Sequence, residues 1–268
     1  MSSHKERRLF TCTNKRHARS ALLAIAAVAC LSSTTTAAII DYGTLNGSDV
    51  TYANVKEDTR SAPTALFGAA SVTSNFLDFD PLSFASNTSS STGTSGSDIV
   101  GGQLNFIVMS NSNTFDITNV VITEGGDYTT TGLGAAQATA TVAAPVSYTI
   151  THVAGAPLLS PVAGSGNVVF TPGGAFDITN GPGGLWDGVL NVDIRSALDA
   201  AGISGAATTI EFIIDNTLTT SGSDGGSAFI AKKDFNVSTV GEIVPEPGSF
   251  SLLLGFGFLM FPGRARRK

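Results

Sequence analysis

Asp78-Phe79-Asp80 places two carboxylates two residues apart, on one face of an extended segment. With Asp41 or another oxygen donor they have the chemistry to hold a calcium ion. Pro81 follows directly, so the same residues also read as a plain turn signal. His152 closes the alternating stretch Val146-Ser147-Tyr148-Thr149-Ile150-Thr151-His152 and reads as a surface or strand-end residue. It is the only histidine after position 17, so a multi-histidine zinc site is excluded there, and a Ser-His-Asp triad would have to be built around it alone. Trp186, the sole tryptophan, is flanked by Gly183-Gly184 and Gly188. It suits either a sugar-stacking platform or a core plug, and the lack of an aromatic companion favours the core. There is no Gly-x-Ser-x-Gly elbow, phosphate-binding glycine loop or EF-hand spacing. Two acids for glycoside hydrolysis need only the right separation in space, and nothing in the sequence selects such a pair. The reading is therefore of a protein with no catalytic residue, no cofactor and no resident metal, Asp78 and Asp80 being weak calcium candidates.

Cys12 and Cys30 both precede residue 38, so positions 39–243 have no thiol for a disulfide, a thiolate metal site or a cysteine nucleophile. That stretch holds 19 Asp and Glu against five cations, Lys56, Arg60, Arg195, Lys232 and Lys233. Its net charge is −14, while the two ends contribute +5 and +3 to the −6 of the whole chain. Such a body is repelled by nucleic acid and anionic lipid and attracts divalent cations. Most of its acids read as turn and surface residues.

The elements that must position these residues are β-strands. In 208–215, Ile210, Phe212 and Ile214 alternate with Glu211 and Asp215, and 189–194 repeats the pattern. Further strands are expected at 50–55, 71–79, 103–109, 119–123, 137–142, 146–153, 167–171, 228–231 and 235–240. Glycine-rich turns such as Glu124-Gly125-Gly126-Asp127 and Asp224-Gly225-Gly226 separate them. About ten strands in about 205 residues fit a single all-β, two-sheet sandwich of the jelly-roll type. The one helical segment is 195–201, with Gly202 placed to stop it. Residues 86–97 are nearly all Ser, Thr, Gly and Asn and read as a flexible loop or unformed edge, and Gly/Pro/Ala-rich 154–166 breaks the strand pattern in the same way. The pentapeptide Phe115-Asp116-Ile117-Thr118-Asn119 recurs at Phe176–Asn180 with unrelated flanks, which points to chance or a common strand-to-turn solution and not to a duplicated domain.

The two ends carry addresses. Lys5, Arg7, Arg8, Lys15, Arg16 and Arg19 precede an apolar run at 21–31, and Ala37-Ala38 supplies small residues for cleavage. This predicts a signal peptide over 1–38, with export through Sec-type machinery and a cut by signal peptidase before Ile39. Ala27-Val28-Ala29-Cys30 offers an alternative, lipoprotein-type processing at Cys30. At the other end, Val244-Pro245-Glu246-Pro247 leads into the 12-residue, largely apolar stretch 250–261 and then into Arg264, Arg266, Arg267 and Lys268. The prolines keep the motif extended, the apolar segment forms a short membrane-anchoring helix, and the cations hold it to the cytoplasmic side. The three-part tail resembles the PEP-CTERM sorting signal of exopolysaccharide-producing Gram-negative bacteria, whose VPEP form is also catalogued as an ice-binding protein C-terminal domain. The resemblance covers 244–268 and departs from the pattern at Pro262-Gly263. It implies that an exosortase recognises Pro245-Glu246-Pro247 while the tail is tethered in the inner membrane, then detaches the body to the cell surface or extracellular matrix. The competing reading of the tail is an anchor that is never processed. For the body, residues 39–243, the expectation is a non-catalytic envelope or matrix protein. A carbohydrate-binding module for exopolysaccharide is second, and a surface glycoside hydrolase third. No regular Thr-x-Thr ladder is apparent in the body.

Overall fold

The computed structural model describes residues 37–243, apart from 61, 114, 135 and 136. The expected signal peptide up to residue 36, the expected sorting motif Val244–Pro247, the apolar segment and the basic residues Arg264, Arg266, Arg267 and Lys268 lie outside the described residues. No helix among the described residues is long and apolar enough to cross a membrane.

The described residues are mostly strand, arranged as two antiparallel sheets. Two long pairs form their centres. In the eight-stranded sheet, β6 (Ser95–Ser110) runs against β14 (Ala207–Ser223) from Ser95↔Ser223 to Met109↔Thr209. In the seven-stranded sheet, β7 (Phe115–Thr131) runs against β15 (Ser227–Ile243) over nearly all of its length. The first sheet is extended on one side by β2 (Val50–Asp58) and β1 (Ile39–Asn46). On its other side β8 (Ala138–Ala143) and β9 (Pro145–Val153) follow one another along β14, backed by β12 (Ala175–Asp177) and β10 (Ala156–Asn167). The second sheet carries β13 (Gly183–Asp193) and β11 (Val169–Thr171) beyond β7. Beyond β15 lie β4 (Phe76–Phe79), β5 (Ala85–Ser89) and β3 (Ala70–Thr73).

Alternation produces the core. The inward residues of β14 are Ile210, Phe212, Ile214, Asn216 and Leu218, and those of β7 include Val120, Ile122 and Glu124. The two inner faces share one apolar cluster, in which Phe106 stacks on Phe212 at 5.4 Å and Tyr128 on Phe176 at 4.3 Å. Helix α1 (Ile194–Ala200) covers one end, burying Ile194 and Leu198. Asp193 caps its first turn and Gly202, at φ +70°, ends it as expected.

Several expectations are corrected. Glu124-Gly125-Gly126-Asp127 is not a turn but the middle of β7. A Cβ on Gly126 would lie 1.9 Å from the Ala231 carbonyl oxygen and 2.6 Å from the Trp186 ring, so glycine serves here as space for the indole. Residues 86–97 are not a loop either. Ser86, Thr88 and Thr220 are buried and bond one another, Ser86 Oγ to Thr220 Oγ1 at 2.9 Å and Thr88 Oγ1 to Thr220 Oγ1 at 2.8 Å. Their hydroxyls satisfy each other across the sheets, which removes the cost of burying them. Residues 154–166 form a hairpin, with Ala154 and Gly155 at positive φ in the turn and β10 returning along β9. The repeated pentapeptide adopts two structures. Phe115–Asn119 lies within β7, whereas Asp177 caps a 3-10 turn over Ile178–Asn180.

Candidate functional site: a buried lysine between the sheets

β15 contains a bulge between Lys232 and Asp234, and this sets the site. Without it, residues 232 and 235 would face opposite sides of the sheet. With it, both side chains point between the sheets and Lys233 and Asp234 face outward, exposed. The Lys232 side chain has no exposure to solvent. Its backbone amide donates to the Phe84 carbonyl at 2.9 Å. Three phenyl rings surround its Nζ, with centroids 5.0 Å (Phe235), 5.5 Å (Phe84) and 5.6 Å (Phe67) away. The rings also pack edge to face, Phe67 on Phe84 at 5.3 Å and on Phe235 at 5.1 Å.

The polar partners of Lys232 come from both sheets. Its Nζ ion-pairs with Glu124 Oε2 on the neighbouring strand β7 and donates to Asn216 Oδ1 on β14, in the opposite sheet. The Glu124 side chain is as inaccessible as the lysine's, and Asn216 is fully buried. Beyond these contacts the trio is under-satisfied, since Glu124 Oε1 and Asn216 Nδ2 are buried without a hydrogen-bond partner. Burial pulls the Lys232 pKa well below the usual ammonium value, opposed by the Asp234 carboxylate, which pushes it up.

Neighbouring elements hold the cage in shape. Glu57, also fully buried, accepts from the Leu66 and Phe67 amides at 2.6 and 3.4 Å and from the Tyr42 hydroxyl at 2.6 Å, which fixes the Phe67 face. Burial, and then the Glu57 carboxylate, raise the Tyr42 pKa strongly. Gly102, paired with Asn216, admits Phe67 and Phe84; a Cβ there would sit 3.3 and 3.5 Å from the two rings. Trp186 is buried two strands away from Lys232, beyond Gly126 in the row Trp186–Gly126–Lys232, and packs edge to face on Phe170 at 5.7 Å.

An open groove of about 350 Å³ runs over the outer face of the seven-stranded sheet, lined by Thr123, Thr171, Asp187, Val189 and Asp234; the Glu124 carboxylate, fully buried between the sheets, does not open into it. Asp78 lies beside this face. Desolvation, then the nearby Asp80 and Asp234 charges, raise its pKa. Asp41 does not complete a calcium site with Asp78 and Asp80; it pairs with Lys56 at 3.8 Å and accepts from the Gly43 amide. Among the described residues no three His, Cys, Asp or Glu side chains are gathered as metal ligands. His152 is a partly exposed strand residue whose Nδ1 meets the Thr151 hydroxyl at 3.0 Å.

Sequence reasoning missed the buried trio, and the missing signal was parity. Asn216 follows Ile210, Phe212 and Ile214 at inward spacing, Glu124 follows Val120 and Ile122, and Lys232 follows Ala228 and Ile230. Each is a polar residue at a core position. No protein-family model matches this sequence, and a search of curated proteins returned no relative.

Proposed function

We propose that this is an exported, non-catalytic envelope or matrix protein, sorted by an exosortase-type system through Val244-Pro245-Glu246-Pro247. The observation that carries the reading is the order of parts in the chain: a basic-apolar leader, an all-β body, then the Pro-Glu-Pro, apolar and basic tail. The leader and tail give the body a route through Sec-type machinery, signal peptidase and a transient inner-membrane tether to the cell surface. The body is a single sandwich of jelly-roll type. The strand order β13-β7-β15-β4 and the way successive long strands alternate between the sheets support that wiring. The non-catalytic reading draws support from where the buried acids go. Glu57 holds backbone amides, and Asp116 pairs with Arg195 and accepts from the Ala207 amide.

A second reading, a module binding exopolysaccharide, is favoured by the groove over Thr123, Thr171, Asp187 and Asp234, whose hydroxyls and carboxylates suit sugar hydroxyls. Trp186, being buried, offers no stacking platform to it.

Changing Pro245, Glu246 and Pro247 together to Ala in an exosortase-bearing host tests the sorting reading. Retention of the longer form in the inner membrane is expected. Normal release and surface display of that variant would leave the tail as a simple anchor. Mass spectrometry of the exported form should find Ile39 first, whereas a lipid on Cys30 would select the lipoprotein route.

A further inference from the structure

We infer that Lys232 and Asn216 join covalently, the lysine Nζ replacing the asparagine Nδ2 to form an amide cross-link between the two sheets, with Glu124 as the proton carrier. The three groups are already assembled. The lysine nitrogen touches both the asparagine side-chain oxygen and the glutamate oxygen, and all three side chains are fully buried or nearly so. Holding a nucleophile against an acyl group in fixed geometry replaces a bimolecular encounter with an intramolecular step. The aromatic cage of Phe67, Phe84 and Phe235 excludes water, which would otherwise keep the amine protonated and compete for the acyl carbon.

The atoms balance without an oxidant, a cofactor or another reactant. In the water-excluded core the ammonium passes a proton to Glu124, leaving a neutral amine beside a carboxylic acid. The amine lone pair attacks Asn216 Cγ and the new C–N bond forms. Glu124 takes the proton released from the attacking nitrogen and delivers a proton to Nδ2, the Cγ–Nδ2 bond breaks, and ammonia leaves. Glu124 ends as the acid it was before attack. The unsatisfied atoms fit these roles, since Nδ2 has no acceptor holding it in place and Glu124 Oε1 has no donor competing for it. Ammonia, small and neutral, leaves through local opening of the fold.

The cross-link is read directly in the mass of the full chain produced in its exported form. With the termini defined, it should weigh less than its sequence by one ammonia, about 17 Da. Cleavage before aspartates in the denatured protein separates 215–223 from 224–233 in an unlinked chain; in the linked chain these two peptides remain one branched species. Glu124→Gln keeps the shape but cannot shuttle protons, so it should restore the full mass and free both peptides. Asn216→Asp should still link, losing water, about 18 Da, in place of ammonia. Full mass together with separate peptides in folded wild-type protein would overturn the inference. So would a mass deficit whose tandem spectra place the lost ammonia at any residue other than Asn216. Because the readout is wild-type mass, the test does not depend on a variant folding, and it is independent of whether the tail is sorted.

Discussion

Lys232 shows how one residue's surroundings set a pH dependence. Burial, the main cause of the lowered Lys232 pKa, is kept in Glu124→Gln, where the amine stays unlinked, so its folded-state pKa is expected to stay below the unfolded value. Between those two values the unfolded chain binds more protons than the folded one, so stability rises with pH across that window and is lost as pH falls. The window closes near pH 10, because burial raises Tyr52 to about 12 in the fold and makes more alkaline solutions destabilising. Denaturant midpoints for this variant should therefore be higher at pH 9 than at pH 7. The linked wild type has no such amine to titrate, and its lysine-dependent slope should vanish. Gly126 gives a second prediction at this scale. Gly126→Ala forces a methyl group into the Ala231 carbonyl and the Trp186 ring, and should cost at least 1–3 kcal/mol, the range of roughly ordinary overpacking. Thermal melting checks it.

Among the elements, α1 depends on its cap. Asp193 accepts from the Ser196 amide and hydroxyl, both at 2.8 Å, and these bonds depress its pKa. The stabilisation is present above the unfolded carboxylate pKa and lost as pH falls through the depressed folded value. Asp193→Ala should lower stability by about 1 kcal/mol, measured by chemical denaturation at neutral pH. The same scale shows what was legible in the sequence. Strands whose inward positions are all apolar, such as the Ile210–Ile214 stretch, announced themselves by alternation, and so did the helix followed by Gly202. The strand at 85–89, the first half of β6 over 95–102 and the centre of β7 did not, because their inward residues are mostly hydroxyls, glycines and acids. Burial of those groups is tolerable only through partners distant in sequence, such as Thr220 for Ser86 and Lys232 for Glu124, and no local pattern reports such partners. The candidate site stayed hidden for the same reason. Its three members are separated by 16 to 108 positions and meet only after both sheets close.

At the scale of the whole molecule, the linkage closes a ring between β14 and β15 around the Asp224-Gly225 turn. Loop-closure reasoning for a ring of this size assigns it a few kcal/mol, roughly 3. For a body of this length that corresponds to a melting shift of about 6–12 °C between wild type and Glu124→Gln. Calorimetry on the two proteins checks it, and equal melting temperatures would show that the folded core already holds the sheets together without help from the bond.

β15 ends at Ile243, and the proposed attachment motif begins at the next residue. Any tug on the tail enters the fold along the length of this strand. β15 is held on one side by β7 and on the other by β4 and β5, so it cannot be peeled away from a free edge. Pulled end-on, it must slide against antiparallel neighbours and strain many ladder bonds together. With Lys232 joined to Asn216, tension passing that point would be shared with β14 and the other sheet. Such a body resists extraction best along the direction from which a cell-surface tether would pull, and single-molecule stretching through the C-terminus should give higher rupture forces than stretching across β3.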